Sequence, residues 1–213
     1  MHVKSVFFDL DGVVIDSEKL HLRALGLTLE KNGVSYDQGI LDQFVGRSDN
    51  AFFRYVYDNL DDSIDLDDYL KQKDIHFENL LAELRFVDGF PAFMDVVKNA
   101  GLQTALVTSS TAQTVQKVDR VLSFTQLFDL VITADDTSKH KPNPEPYLQA
   151  LERINAEKER TIIIEDSING ITAGKAAGCI VCGLTTSFDA ATLMNAGADF
   201  VFDHYTGLQH FIR

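Results

Sequence analysis

An apolar run at residues 6–8, Val6-Phe7-Phe8, delivers two aspartates, Asp9 and Asp11, straight into a turn residue, Gly12. A strand buried on both faces reads as a continuous apolar run, and such strands belong to parallel sheets. Their carboxyl ends are where open α/β sheets bind ligands. Two acids one residue apart make a poor core and a good reaction centre. On an extended chain, side chains alternate with period two, so Asp9 and Asp11 are expected to start on the same face. One carboxylate can attack while the other handles a proton, provided a positive group holds their repulsion down. A structural turn with solvated acids fits the short string equally well, so the rest of the chain must decide.

After Leu10 the apolar spacing is helical for a long stretch. Asp16-Ser17 is placed to cap a helix running through Lys31, with Gly33 as its terminator. Ser48 is placed to cap a second helix, carrying Phe52, Tyr55 and Val56 at helical spacing. A third is expected from Leu66 to Leu84, on the stripe Leu66, Tyr69, Leu70, Phe77, Leu80, Leu81 and Leu84. From Arg85 onward strand and helix alternate. Pro91 opens a helix that Gly101 ends. Strands are expected at Thr104–Thr108, Leu130–Thr133, Thr161–Glu165, Ile180–Leu184 and Phe200–Phe202. This rhythm predicts an α/β fold: a Rossmann-like parallel sheet with helices on both faces, plus an inserted α-helical cap domain. The expected division is residues 1–15 and 85–213 for the core and 16–84 for the cap.

The chain has 213 residues, 45% of them hydrophobic, enough for one large domain or a domain with an insert. A net charge of −13 argues against nucleic acid and against anionic membrane surfaces as partners. No apolar run reaches bilayer length and no signal peptide is visible, so a cytoplasmic protein, by default a monomer, is expected. An anionic substrate in so acidic a protein calls for a metal ion or a few well-placed cations. Cys179 and Cys182 spell C-x-x-C inside a strand-like run, where residues three apart face opposite ways. Two buried, inert thiols are expected rather than a ligand pair. The acid-rich run from Asp58 to Asp68 lacks the glycine and final glutamate of a calcium loop and reads as a solvated surface and helix start.

Chemistry-bearing groups recur at strand ends. Asp9 and Asp11 follow the first strand. Thr108-Ser109-Ser110 follows Ala105-Leu106-Val107. Lys141, in Lys141-Pro142-Asn143-Pro144, follows the strand at 130–133. Glu165-Asp166 follows Ile162-Ile163-Ile164. Parallel neighbouring strands would bring all four sets to one crevice. In this order they resemble the motifs of the haloacid dehalogenase-like hydrolase superfamily. The stretch Glu165-Asp166-Ser167-Ile168-Asn169-Gly170 resembles the form found in its β-phosphoglucomutase and sugar-phosphate phosphatase subgroup.

That resemblance implies a mechanism. Asp9 would be the nucleophile and form an aspartyl-phosphate. Asp11 would act as general acid, then as general base. Lys141 and Thr108 would balance and cradle the phosphoryl group, together with backbone amides around Ser109 and Ser110 at a helix start. Mg²⁺ would be held by Asp9, the backbone carbonyl of Asp11, Asp166 and, directly or through water, Glu165. Aspartate at position 11 points to a phosphatase or phosphomutase and away from the dehalogenases and ion pumps of the superfamily.

The implied substrate is a small phosphorylated metabolite, a sugar phosphate above all. The loop Val45-Gly46-Arg47-Ser48-Asp49 resembles the subgroup's specificity loop, which makes Gly46 and Arg47 candidate substrate contacts. His21 and Lys73 resemble site-facing cap positions, although an apolar-face histidine and a solvated lysine fit the sequence too. Mutases of the subgroup carry arginine three positions after the loop glycine. Here that position is Asp49, which would repel a second phosphate, so hydrolysis is favoured over a β-phosphoglucomutase-type transfer. A phospho-aspartate receiver switch uses similar residue types, but has no need of Asp11 as an acid or of a large cap.

Overall fold

The computed structural model describes residues 2–45 and 47–212. Six strands form one parallel sheet: β1 (Ser5–Phe8), β2 (Gln103–Val107), β3 (Leu130–Ile132), β4 (Thr161–Glu165), β5 (Ile180–Leu184) and β6 (Phe200–Phe202), in the order β3-β2-β1-β4-β5-β6. β1 lies between β2 and β4, with Phe8 level with Leu106 on one side and Ile164 on the other. The order reverses at β1, so a crevice opens beyond the carboxyl ends of β1, β2 and β4. Asp9 is the first residue past the end of β1.

The chain separates into two compact units, one formed by Met1–Asp16 with Arg85–Arg213 and the other by Ser17–Leu84. In the first, every residue of β1 and β4 is buried, as continuous apolar strands require. Phe7, Ala105, Val107, Ile163 and Val181 share one face and pack with Tyr147, Ala150, Ile171 and Leu193. These come from α7 (Glu145–Arg153), α8 (Ile168–Ala176) and α9 (Ala190–Asn195). Phe8 points the other way, edge-on to Phe90, Phe93 and Phe128 with centroids 5.8, 6.1 and 5.6 Å away. That face is covered by α5 (Phe90–Asn99), whose Phe90 and Phe93 also meet Tyr205 of α10 (Tyr205–Leu208). Burying each such side chain contributes about 1.5–3 kcal/mol relative to leaving it in water. The remaining α-helix described in this unit, α6, spans Ala112–Leu122.

The second unit is helical: α1 (Glu18–Lys31), α2 (Gly39–Asp42), α3 (Asp49–Asn59) and α4 (Leu66–Leu80), followed by a 3₁₀ turn at Leu81–Glu83. Leu25, Leu29, Phe44, Phe52, Phe53, Val56 and Tyr69 form its core. Ser48 caps α3 by accepting from the Ala51 amide, and Asp65 caps α4 through the amides of Asp67 and Asp68. Asp61 accepts from the amide and hydroxyl of Ser63, so part of the acid-rich run serves turns and caps.

Several expectations are corrected. Ser17 occupies the N-cap position of α1, but its side chain makes no cap bond. The helix expected to reach Leu84 ends at Leu80, where the last turn tightens to 3₁₀. β2 and β3 stop at Val107 and Ile132, one residue early: Thr108 has left the strand, and Thr133 opens a 3₁₀ turn in a capping box with Asp136. The four-residue α2 has no counterpart in the sequence reading, being too short to show a period. Among the described residues no helix is long and apolar enough to cross a membrane.

Candidate active site

Asp9 continues the ladder only through its amide, which donates to Ile164 O at 3.1 Å. The backbone then bends at Leu10, Asp11 bridges to Ile15, and Gly12 takes φ +72°. Extended geometry ends with the strand at Phe8, and the charge of Asp11 acts on Asp9. Asp9 Oδ1 accepts from Lys141 Nζ at 2.5 Å, and Asp11 Oδ2 accepts from Ser110 Oγ at 3.3 Å. The left-handed turn at Gly12 also admits Asp166. A Cβ at position 12 would come within 1.9 Å of Asp166 Oδ2.

Lys141 is held in a loop that ties itself down. Ser138 donates its amide and hydroxyl to Glu145, Asn143 Oδ1 accepts from the Glu145 amide, and the Lys141–Pro142 peptide is cis. An ammonium has three protons to donate. Those of Lys141 go to Asp9 Oδ1, to Glu165 Oε1 at 2.6 Å and to Val107 O at 2.8 Å. The side chain is 4% exposed, and the Tyr147 ring lies 4.9 Å beneath its nitrogen. Burial disfavours its charge, but Asp9 and Glu165 outweigh burial and leave the ammonium more basic than an ordinary lysine.

Glu165 is fully buried. Its Oε1 accepts from Lys141 and from Tyr147 Oη at 2.8 Å; its Oε2 accepts from the Asp166 and Ser167 amides and from Ser167 Oγ at 2.9 Å. Ser167 also caps α8 by accepting from the Gly170 amide at 3.0 Å. The first turn of that helix passes so close that a Cβ on Gly170 would lie 1.7 Å from Glu165 Oε1. Asp166 accepts from the hydroxyls of Ser187 and, at 3.3 Å, Thr186.

Burial, with the charges of Glu165 and Asp11 adding to it and Lys141 opposing, raises the Asp9 carboxyl to about 7. Burial and the charges of Glu165 and Asp9 raise Asp166 well above the usual carboxylate range. These acids crowd together with less positive charge than they need. Asp9, Glu165 and Asp166 each offer a carboxylate oxygen within 4.8 Å of the others. Hard oxygen donors with an unbalanced negative charge fit a divalent cation such as Mg²⁺.

Thr108 is buried, and its Oγ1 accepts from the Ser110 amide at 3.0 Å. The Ala112 amide donates to Asp135 Oδ2 at 2.8 Å. Both amides are already committed, which narrows the phosphate cradle expected beyond Thr108. Ser109 is exposed, and Ser110 turns its hydroxyl to Asp11. Sequence reasoning missed Tyr147, Thr186 and Ser187. Tyr147 reads as one more apolar position of an amphipathic helix, and neither hydroxyl residue stands in a motif.

In the helical unit, Lys73 is 2% exposed, which removes the solvated reading. Its ammonium lies 2.6 Å from Asp49 Oδ2 and 2.8 Å from His21 Nδ1, and His21 stacks on Phe77 at 4.1 Å. Asp49 is therefore neutralised within its own unit. Arg47 is exposed, its guanidinium 5.5 Å from the Phe44 ring centroid. Gly46 lies outside the described residues. Cys179 and Cys182 are free and buried, and burial pushes both thiols up to about 12.

A sequence model of the haloacid dehalogenase-like hydrolases matches residues 6–184. The chain is 33% identical over 206 residues to the validoxylamine A 7′-phosphate phosphatase of Streptomyces hygroscopicus subsp. limoneus, covering 91% of each protein. It is 29% identical over 199 residues to the phosphorylated carbohydrates phosphatase of Thermotoga maritima, covering 92% of each. A crystal structure from Thermotoga maritima, named as a candidate β-phosphoglucomutase, superposes with a TM-score of 0.86 at 27% identity, over 99% of this chain and 98% of that one. The chain belongs to the haloacid dehalogenase-like hydrolases, and within that family it is a phosphatase.

Proposed function

We propose that this phosphatase hydrolyses a small phosphorylated carbohydrate through a covalent phosphate on Asp9. The observation that carries the reading is the contact of Lys141 with Asp9 and Glu165 at the carboxyl end of β1, beside Asp11 and Asp166. Asp9 attacks phosphorus as the bond from phosphorus to the leaving oxygen breaks. Asp11 gives that oxygen its proton. Asp11 then takes a proton from water, which attacks the acyl-phosphate, releases inorganic phosphate and regenerates Asp9. Lys141 offsets the charge on Asp9 and on the phosphoryl oxygens, and Thr108 donates to those oxygens. Mg²⁺, held by Asp9, Asp166 and the backbone carbonyl of Asp11 with Glu165 beside them, would supply the remaining neutralisation when bound.

The helical unit is the proposed source of specificity, through Arg47 and its loop with His21 and Lys73. Hydrolysis is favoured over mutase transfer because a mutase must hold a second phosphate. The position where mutases of the subgroup place arginine is Asp49, and its pairing with Lys73 leaves no net positive charge there. The named relatives act on a validoxylamine phosphate and on phosphorylated carbohydrates, in keeping with this substrate class. A panel of sugar phosphates with Mg²⁺, including β-glucose 1-phosphate with its bisphosphate, tests the reading. Free phosphate is the expected product; conversion of β-glucose 1-phosphate to glucose 6-phosphate without phosphate release overturns it.

A further inference from the structure

Tyr147 lies in the first turn of α7, and its side chain has no exposure to solvent. A buried phenol needs a hydrogen-bond partner, and this one donates to Glu165 Oε1, the same oxygen that takes a proton of Lys141. The face of the same ring lies beneath the Lys141 nitrogen. Tyr147 thus touches both members of the pair.

We infer that Tyr147 is a positioning residue that sets where Lys141 sits between Glu165 and Asp9. The physical reason is competition for one oxygen. Glu165 Oε1 is satisfied by two donors, so neither has to supply its whole demand. Without the phenol, Oε1 depends on Lys141 alone and draws the ammonium toward itself. The contact to Asp9 Oδ1 lengthens, and the transferring phosphoryl group loses its best-placed cation. The ring face adds a cation–π attraction that holds the nitrogen over Tyr147 whether or not the hydroxyl is present. A phenylalanine at this position therefore keeps the packing and removes only the hydrogen bond. The inference rests on the role proposed for Lys141, and its test separates the two.

The experiment compares wild type, Tyr147→Phe, Lys141→Met and the double variant, using p-nitrophenyl phosphate at saturating Mg²⁺. Supporting groups of this kind are worth about 10- to 100-fold in activity. Tyr147→Phe is expected to lower kcat about tenfold while KM and the Mg²⁺ concentration for half-activity stay within about two-fold. Beside Lys141→Met, the same substitution should change kcat by less than about two-fold, because its intermediary is gone. An unchanged kcat in Tyr147→Phe overturns the inference, as does a loss that persists in full beside Lys141→Met. A wild-type level of turnover in Lys141→Met instead defeats the role proposed for Lys141. Urea denaturation of the same four proteins without metal reads the coupling with no reaction involved. Non-additive midpoints are expected, and additive ones overturn the inference. Should Lys141→Met not fold, Lys141→Gln completes the same cycle.

Discussion

The Lys141 ammonium lies 2.5 Å from Asp9 Oδ1, although 132 positions separate the two residues in the chain. The strand order makes that possible, since β1 sits between β2 and β4 and the connection from β3 to β4, which carries Lys141 ahead of α7, passes from one side of it to the other. Removing the cation leaves Asp9 and Glu165 facing each other in a buried space. Loss of one partner of a buried pair costs about 3–5 kcal/mol. Lys141→Met should lower stability in metal-free urea melts by that order, and lower kcat by about 10²- to 10³-fold, as for other lost charge-stabilising donors. Wild-type values of both would remove Lys141 from the account.

Gly170 gives a prediction whose sign is informative. An ordinary glycine inside a helix is stabilised by about 1 kcal/mol on replacement with alanine. Here the new methyl would strike Glu165, which cannot retreat from a fully hydrogen-bonded position. Overpacking costs about 1–3 kcal/mol. Gly170→Ala should therefore destabilise the protein and reduce turnover with it; a rise in melting temperature would mean Glu165 is placed wrongly.

The raised Asp9 carboxyl makes stability depend on pH. Its ordinary value is 3.8 and its folded value is about 7. Between these, the folded protein binds more protons than the unfolded chain, so unfolding free energy falls as pH rises through the window. Asp9→Asn removes this dependence. In metal-free protein, wild type should lose stability relative to Asp9→Asn between about pH 4 and pH 7. Mg²⁺ affinity should rise over the upper part of that range as the proton is displaced. A difference in urea midpoint that stays constant with pH contradicts the assignment.

Both cysteines are buried, with thiols pushed up to about 12. Almost no thiolate exists near neutral pH, so a thiol-exchange reagent at pH 8 should label neither residue in the native protein and both after denaturation. Rapid labelling of the native protein would reopen a redox or ligand role for the C-x-x-C pair.

The residues that could be read from sequence are those whose signal is local. β4 and β5 keep the expected limits, because a buried parallel strand is an apolar run flanked by polar residues. Asp9 and Asp166 stand out as charges just past such strands, Glu165 as one at the end of β4 and Lys141 as one in the loop after β3, and the sheet order brings them together. What stayed hidden depends on distant partners. Lys73 looks like any surface lysine until α1 and α3 bring His21 and Asp49 to its ammonium. Tyr147 looks like core until its hydroxyl is seen on Glu165. The approach of Asp166 to the left-handed turn at Gly12 is likewise a contact between distant parts of the chain.

The account rests on phosphorus passing through Asp9, and a trapping measurement addresses it most directly. Asp11→Asn protein, which keeps the nucleophile and loses the proton carrier, is mixed with Mg²⁺ and p-nitrophenyl phosphate, whose phenolate leaves without a proton, then quenched in acid and digested for mass spectrometry. The expected result is one phosphoryl group on the peptide containing Asp9, absent when Asp9→Asn is added. Undiminished turnover with no phosphorylated peptide, or a phosphoryl group on any other residue, would contradict it.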